Sequence, residues 1–123
     1  MNMSDLKVSE IMSMQKELQE KYKEKWEPLS VENGRSCLLW MIEEMGEAIA
    51  IIKKRGENDI MNDDTVRQAF VEELVDVMMF YSDALICYGI TPDELSDAFV
   101  KKHSKNMSRD FINEHRNYLR GSK

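Results

Sequence analysis

Apolar positions recur every three or four residues along most of the chain, and no stretch alternates apolar and polar residues as a half-buried strand would. The spacing predicts four helices. The first spans about residues 4–26, with Leu6, Ile11, Met14, Leu18 and Tyr22 along it, Ser4 as candidate cap and Pro28 as its end. Trp26, at its last turn, is either a core plug or a platform for stacking a base. Residues 28–34 form a loop in which Asn33-Gly34 is a turn signal. The second helix runs over about 35–55 and stops at Gly56. Residues 57–64 are polar and predict a loop, after which Asp63, Asp64 or Thr65 caps a third helix over about 66–88, ended by Gly89. Thr91-Pro92-Asp93-Glu94 places Thr at the cap, Pro at the first helical position and Glu at the third, so a fourth helix starts there and continues to about residue 108. One more turn of helix is expected from Asp110 onward.

At about 100° per residue, Leu38, Met41, Ile42, Met45, Ala48, Ile49 and Ile52 fall on one stripe of the second helix. A separate row of that helix reads Trp40, Glu44, Glu47, Ile51, and the third helix repeats it as Ala69, Glu73, Asp76, Phe80, with Val77 and Ala84 close by. Leu39, Val71, Val75, Met78, Met79 and Ile86 are apolar too, but lie off the main faces. The expected architecture is therefore all-α, a four-helix-bundle-like subunit that oligomerises through helix packing as a homodimer or homotetramer.

Two i,i+3 carboxylate pairs framed by large apolar residues are costly, because four acids drawn together out of water repel and each resists desolvation. Solvated surface charges, or acids paired with Lys and Arg, are the ordinary explanation of one such pair. Two matching pairs on consecutive helices point instead to a cation held by Glu44, Glu47, Glu73 and Asp76. A ferritin-type di-iron site would use Glu-x-x-His, yet Val100 and Ile112 stand three residues before His103 and His115. Zinc would want His pairs or Cys clusters, which this chain lacks. All-oxygen ligation favours Mg²⁺, with Mn²⁺ as a substitute, acting on phosphate esters or anhydrides. Glu43 or Glu72 is then available for a second ion or as the base.

The remaining composition narrows the partners. The chain has 123 residues, 42% hydrophobic and 33% charged, which suits one domain, with a core at about residues 26–111 and a tail at 112–123. Its net charge of −6 argues against a general nucleic-acid binder. From Lys101 to the end the balance is +5, leaving −11 for the rest. Lys102, Asn106 and Arg109 share one face of the fourth helix at i, i+4, i+7, a plausible clamp for phosphate and sugar. A basic last helix complementing its own dipole is the alternative reading. Cys37 and Cys87 have no metal spacing and are expected to be free core thiols. With no signal peptide and no run of roughly 18 apolar residues, a cytoplasmic protein that does not enter a membrane is expected.

Glu43-Glu44-x-x-Glu47, then Glu73-x-x-Asp76 within Glu72-Glu73-Leu74-Val75-Asp76-Val77, then Lys102-x-x-x-Asn106-x-x-Arg109 after Gly89-Ile90, together resemble the all-α nucleoside triphosphate pyrophosphohydrolases, the MazG-like and dimeric dUTPase-like superfamily. The likeness covers about residues 26–111. It implies Mg²⁺-dependent hydrolysis of a (deoxy)nucleoside triphosphate to monophosphate and pyrophosphate, as nucleotide-pool house-cleaning by an oligomer. In that resemblance Glu44, Glu47, Glu73 and Asp76 hold Mg²⁺, and Glu43 assists a second ion or the water. Lys102, Asn106 and Arg109 hold phosphates or sugar. No residue matches the aromatic base-binding positions of the pyrimidine-specific members, for which Trp26 and Phe80 are the candidates. The competing expectation is a non-catalytic helical module that binds nucleotides or another protein.

Overall fold

The computed structural model describes residues 4–109 and 118–119. Four helices account for nearly all of them: α1 (Val8–Lys21), α2 (Val31–Asn62), α3 (Asp64–Cys87) and α4 (Pro92–Ser108), with no strand among the described residues. The all-α reading therefore holds. The turn expected from Asp110 onward lies, apart from the helical Tyr118 and Leu119, outside the described residues.

The chain divides after Pro92 into two compact units, so that α1, α2 and α3 form one and α4 belongs to the other. Within the first unit α3 packs along α2 and also against α1. Only Asp63 separates α2 from α3, and such a short connection folds the pair into an antiparallel hairpin. Asp63 is also the cap, its carboxylate accepting from the backbone N–H groups of Thr65 at 3.0 Å and Val66 at 3.3 Å. At the far end Gly89 takes a φ of 69°, and the N–H of Ile90 reaches back to the Leu85 carbonyl at 2.9 Å, closing the helix with a left-handed glycine.

Three expectations shift. First, α1 starts at Val8, not at Ser4, because Glu10 turns back to accept from the Lys7 N–H at 2.6 Å and fixes the first turn there. It ends at Lys21, leaving Trp26 in the following turn, stacked on Tyr22 at 4.6 Å. Second, Asn33-Gly34 is no turn but the opening of α2. The Asn33 amide donates to the Pro28 carbonyl at 2.7 Å and anchors the incoming loop, while Gly34 is buried beneath the Tyr88 ring. Third, residues 57–62 are helical. Gly56 does break the backbone, with φ 85° and ψ 162°, but the helix resumes beyond it. Arg55 spans the break to Asp59 at 3.1 Å, and the Asn62 amide donates to the Asn58 carbonyl at 3.0 Å. Ile60 in this last segment is buried, as is Val66 at the start of α3.

The inner faces also differ from the expected stripes. Cys37, Ala84 and Cys87 form the core cluster, with Leu29 against it, and Ala48 is buried further along α2. Leu38, Ile42, Met45 and Ile49, placed by periodicity on the core face, are 36–56% exposed. On α1, Met12 and Gln15 are buried, whereas Leu6 and Met14 are exposed. Small side chains, Cys37 on α2 and Ala84 and Cys87 on α3, meet where the two helices pack, while these bulkier rows face outward. Both cysteines are free and buried as expected, and burial pushes the Cys37 thiol up to about 12.

The Gly56 backbone sits where only glycine is comfortable. Gly56→Ala is expected to lower stability by about 1–3 kcal/mol, measured by chemical denaturation at constant m-value.

Candidate functional site

Glu44 lies on the row of α2 that faces α3, one turn from Ala48 and two from Cys37. Glu73 and Asp76 lie on the row of α3 that continues through Phe80 to Ala84. Packing these rows together brings one carboxylate oxygen of each of Glu44, Glu73 and Asp76 within 4.8 Å of the others, and all three side chains are half-buried. Burial raises the pKa of Glu44, and repulsion from Asp76, Glu47 and Glu43 adds to it. Glu73 is raised likewise, by burial first and then by Glu44, Asp76, Glu47 and Glu72.

Of the expected quartet, Glu44, Glu73 and Asp76 come together, with Glu47 beside them. Glu47 stands to Glu44 as Asp76 does to Glu73, three residues on along the same side of the helix, but its carboxylate is not among the oxygens that lie within 4.8 Å of one another. Glu47 is exposed and lines a shallow depression of about 390 Å³ together with Glu72, Glu73, Lys54 and Arg55. It remains close enough to repel Glu44 and Glu73. Glu43 is exposed at the rim of a larger cavity on the other side.

That cavity, of about 560 Å³, has Glu44 and Asp76 at one end and Trp26, Trp40 and Phe80 among its walls. Trp40 and Phe80 stand 5.7 Å apart at 54°. The two aromatics expected to meet a base, Trp26 and Phe80, are therefore both on its lining. Gln15 and Asp83 also line it, and neither stood out in the sequence. Gln15 is 6% exposed and donates from Nε2 to Asp83 Oδ1 at 3.0 Å and to the Met79 carbonyl at 3.5 Å. Burial raises the Asp83 carboxyl, opposed by the Gln15 donation. The overlooked signal is spacing: Asp83 follows Asp76 by seven residues, on the same face of α3.

Lys102, Asn106 and Arg109 belong to the second unit, on α4 and just past its end. Lys102 and Asn106 are exposed, and the Arg109 guanidinium donates to Asn106 Oδ1 at 3.3 Å. Among the described residues no single helix is long and apolar enough to cross a membrane. No protein-family model, curated protein or solved structure matches the chain.

Chemically, the trio fits a hard divalent cation. An ion with metal–oxygen distances of about 2.0–2.1 Å would need the three carboxylates to draw in from the 4.8 Å within which they lie. The donor set is all oxygen, and the repulsion that raises Glu44 and Glu73 is what a cation would remove. A carboxylate with a raised folded-state pKa favours folding below its unfolded pKa and loses that contribution as pH rises through the folded value. Without divalent cations at neutral pH, Glu73→Gln is therefore expected to melt higher than wild type, the gap closing on acidification through the carboxylate range. Mg²⁺ should reverse the order, adding about 2.7 kcal/mol to the wild type at a hundred times its Kd. Calorimetric melts at several pH values, with chelator or with Mg²⁺, check both.

Proposed function

We propose that the protein is a Mg²⁺-dependent nucleoside triphosphate pyrophosphohydrolase of the MazG-like kind, converting a (deoxy)nucleoside triphosphate to monophosphate and pyrophosphate. The observation that carries this reading is the convergence of Glu44, Glu73 and Asp76 at the mouth of an aromatic-walled cavity. A carboxylate trio alone binds cations in many settings; opening onto a cavity of a size that holds a small organic ligand, it supports a nucleotide. The cation itself, when bound, would neutralise phosphate charge and lower the pKa of a coordinated water.

The chain's own groups have distinct roles in this reading. Glu44, Glu73 and Asp76 hold the cation. Trp40 and Phe80 receive the base, and Trp26 closes the cavity from the turn after α1. Glu47 and Glu72, exposed beside the trio with Glu43 across from them, hold a second ion or take a proton from the attacking water. Lys54, in the smaller depression with Glu47 and Glu73, meets the outer phosphates. Lys102, Asn106 and Arg109, in the second unit, are the candidates that the resemblance gives for phosphate or sugar. Water attacks the α-phosphorus, its proton passes to a carboxylate, and the bond from that phosphorus to the bridging oxygen breaks as pyrophosphate leaves. Such a role suits nucleotide-pool house-cleaning in the cytoplasm.

The exposed apolar rows support a homo-oligomer. Leu38, Ile42, Met45 and Ile49 recur at four- and three-residue spacing along α2, and Val71, Leu74, Val75 and Met78 do so along α3. One hairpin presenting two such seams is half of a four-helix arrangement, which a second copy would complete.

Release of pyrophosphate from a panel of triphosphates with Mg²⁺ tests the activity. Glu44→Gln and Asp76→Asn are each expected to lower kcat/KM at least about 100-fold with helicity intact; wild-type rates in both would refute the assignment. Ile42→Asp is expected to convert the oligomer to a monomer in light scattering after gel filtration.

A further inference from the structure

The cavity's inner end carries information about the base. Asp83 lies two turns beyond Asp76, about 10 Å along the axis of α3, with Phe80 between them on the same face. That is the reach from an α-phosphate, across one ribose, to the far edge of a base. A nucleotide with its α-phosphate at the acidic trio therefore lies over Phe80 and Trp40 and directs its base edge at Asp83 and Gln15.

The hydrogen bonds there fix which atoms face the ligand. Gln15 Nε2 donates to Asp83 Oδ1 and to the Met79 carbonyl. The Met79 carbonyl and an ionised Asp83 only accept, so the amide is held with Nε2 toward them, and Gln15 Oε1 is left as an acceptor. Asp83 Oδ2 is a second acceptor. Both residues line the cavity, and neither leaves a side-chain polar atom both buried and unpartnered. This end thus offers two acceptors from a largely buried pair and spends its one amide donor internally.

Resting on the pyrophosphohydrolase reading, we infer that the cavity selects nucleotides whose base carries an exocyclic amino group, as cytosine and adenine do, over their keto counterparts. An amino group supplies two in-plane N–H donors to the two acceptors. A keto oxygen at the same position faces them with lone pairs, and only the adjacent ring N–H remains to meet one of them. A site built around buried polar groups rejects such an analogue strongly, because one of those groups then goes unpaired.

The test compares kcat/KM within two pairs, dCTP against dUTP and dATP against dITP, with Mg²⁺ and the full chain. The amino member of each pair is expected to lead by roughly tenfold to a hundredfold. Asp83→Asn, which replaces one acceptor by a donor, is expected to narrow or reverse that ratio, a readout that general loss of stability would not move. Equal rates within both wild-type pairs, or a lead for the keto members, overturn the inference while leaving the hydrolytic reading intact. If no triphosphate is cleaved, the hydrolytic reading fails, and calorimetric titration with the same pairs reads the preference alone. A lead for the amino members in that titration supports it; equal affinities, or no binding of either pair, overturn it.

Discussion

The close approach of α2 and α3 governs everything else in the first unit. Cys37 and Ala48 on one helix, and Ala84 and Cys87 on the other, are small enough to let the backbones draw together. That approach forces Glu44 against Glu73 and Asp76, at a cost in desolvation and like-charge repulsion that shows in their raised pKa values. Apolar packing elsewhere along the hairpin holds the acids in a place they would otherwise leave. Such pre-organisation is what a tight cation site requires, since the ion then need not gather its own ligands.

A single hairpin also sorts the chemistry into zones. On one side of the trio lies an aromatic cavity closed by α1 and the turn after it; on the other lies a shallow, charged depression with Lys54 and Glu47. An extended ligand with an apolar planar head and an anionic tail suits this order. Row by row along α3, Asp76, Phe80 and Asp83 repeat the same sequence of charge, ring and acceptor.

How much of this was written in the sequence differs by level. The four helices, the role of Gly89 and the acids themselves were legible, because caps, glycines and three- and four-residue spacing act locally. Periodicity also found the apolar faces of α2, but could not say which one meets its own chain. Two rows compete there, and the decision falls to Cys37 and Ala48, whose smallness carries little weight in a hydrophobic pattern. Residues 57–62 read as a loop because they are polar; their helix is held by Asn62, Asn58 and the Arg55–Asp59 pair around a glycine break. Gln15 and Asp83 were invisible as a pair, since nothing in the chain announces that residues 68 positions apart will share a hydrogen bond.

The one-residue junction at Asp63 has a kinetic meaning. Because α2 runs almost directly into α3, the turn itself costs little chain freedom, but Glu44 meets Glu73 and Asp76 across 29 and 32 residues, so the acids come together only as the two long helices close along their length. Pairings over such separations form more slowly than those between near neighbours in sequence. The acidic cluster is thus a product of the hairpin's full closure rather than of its turn.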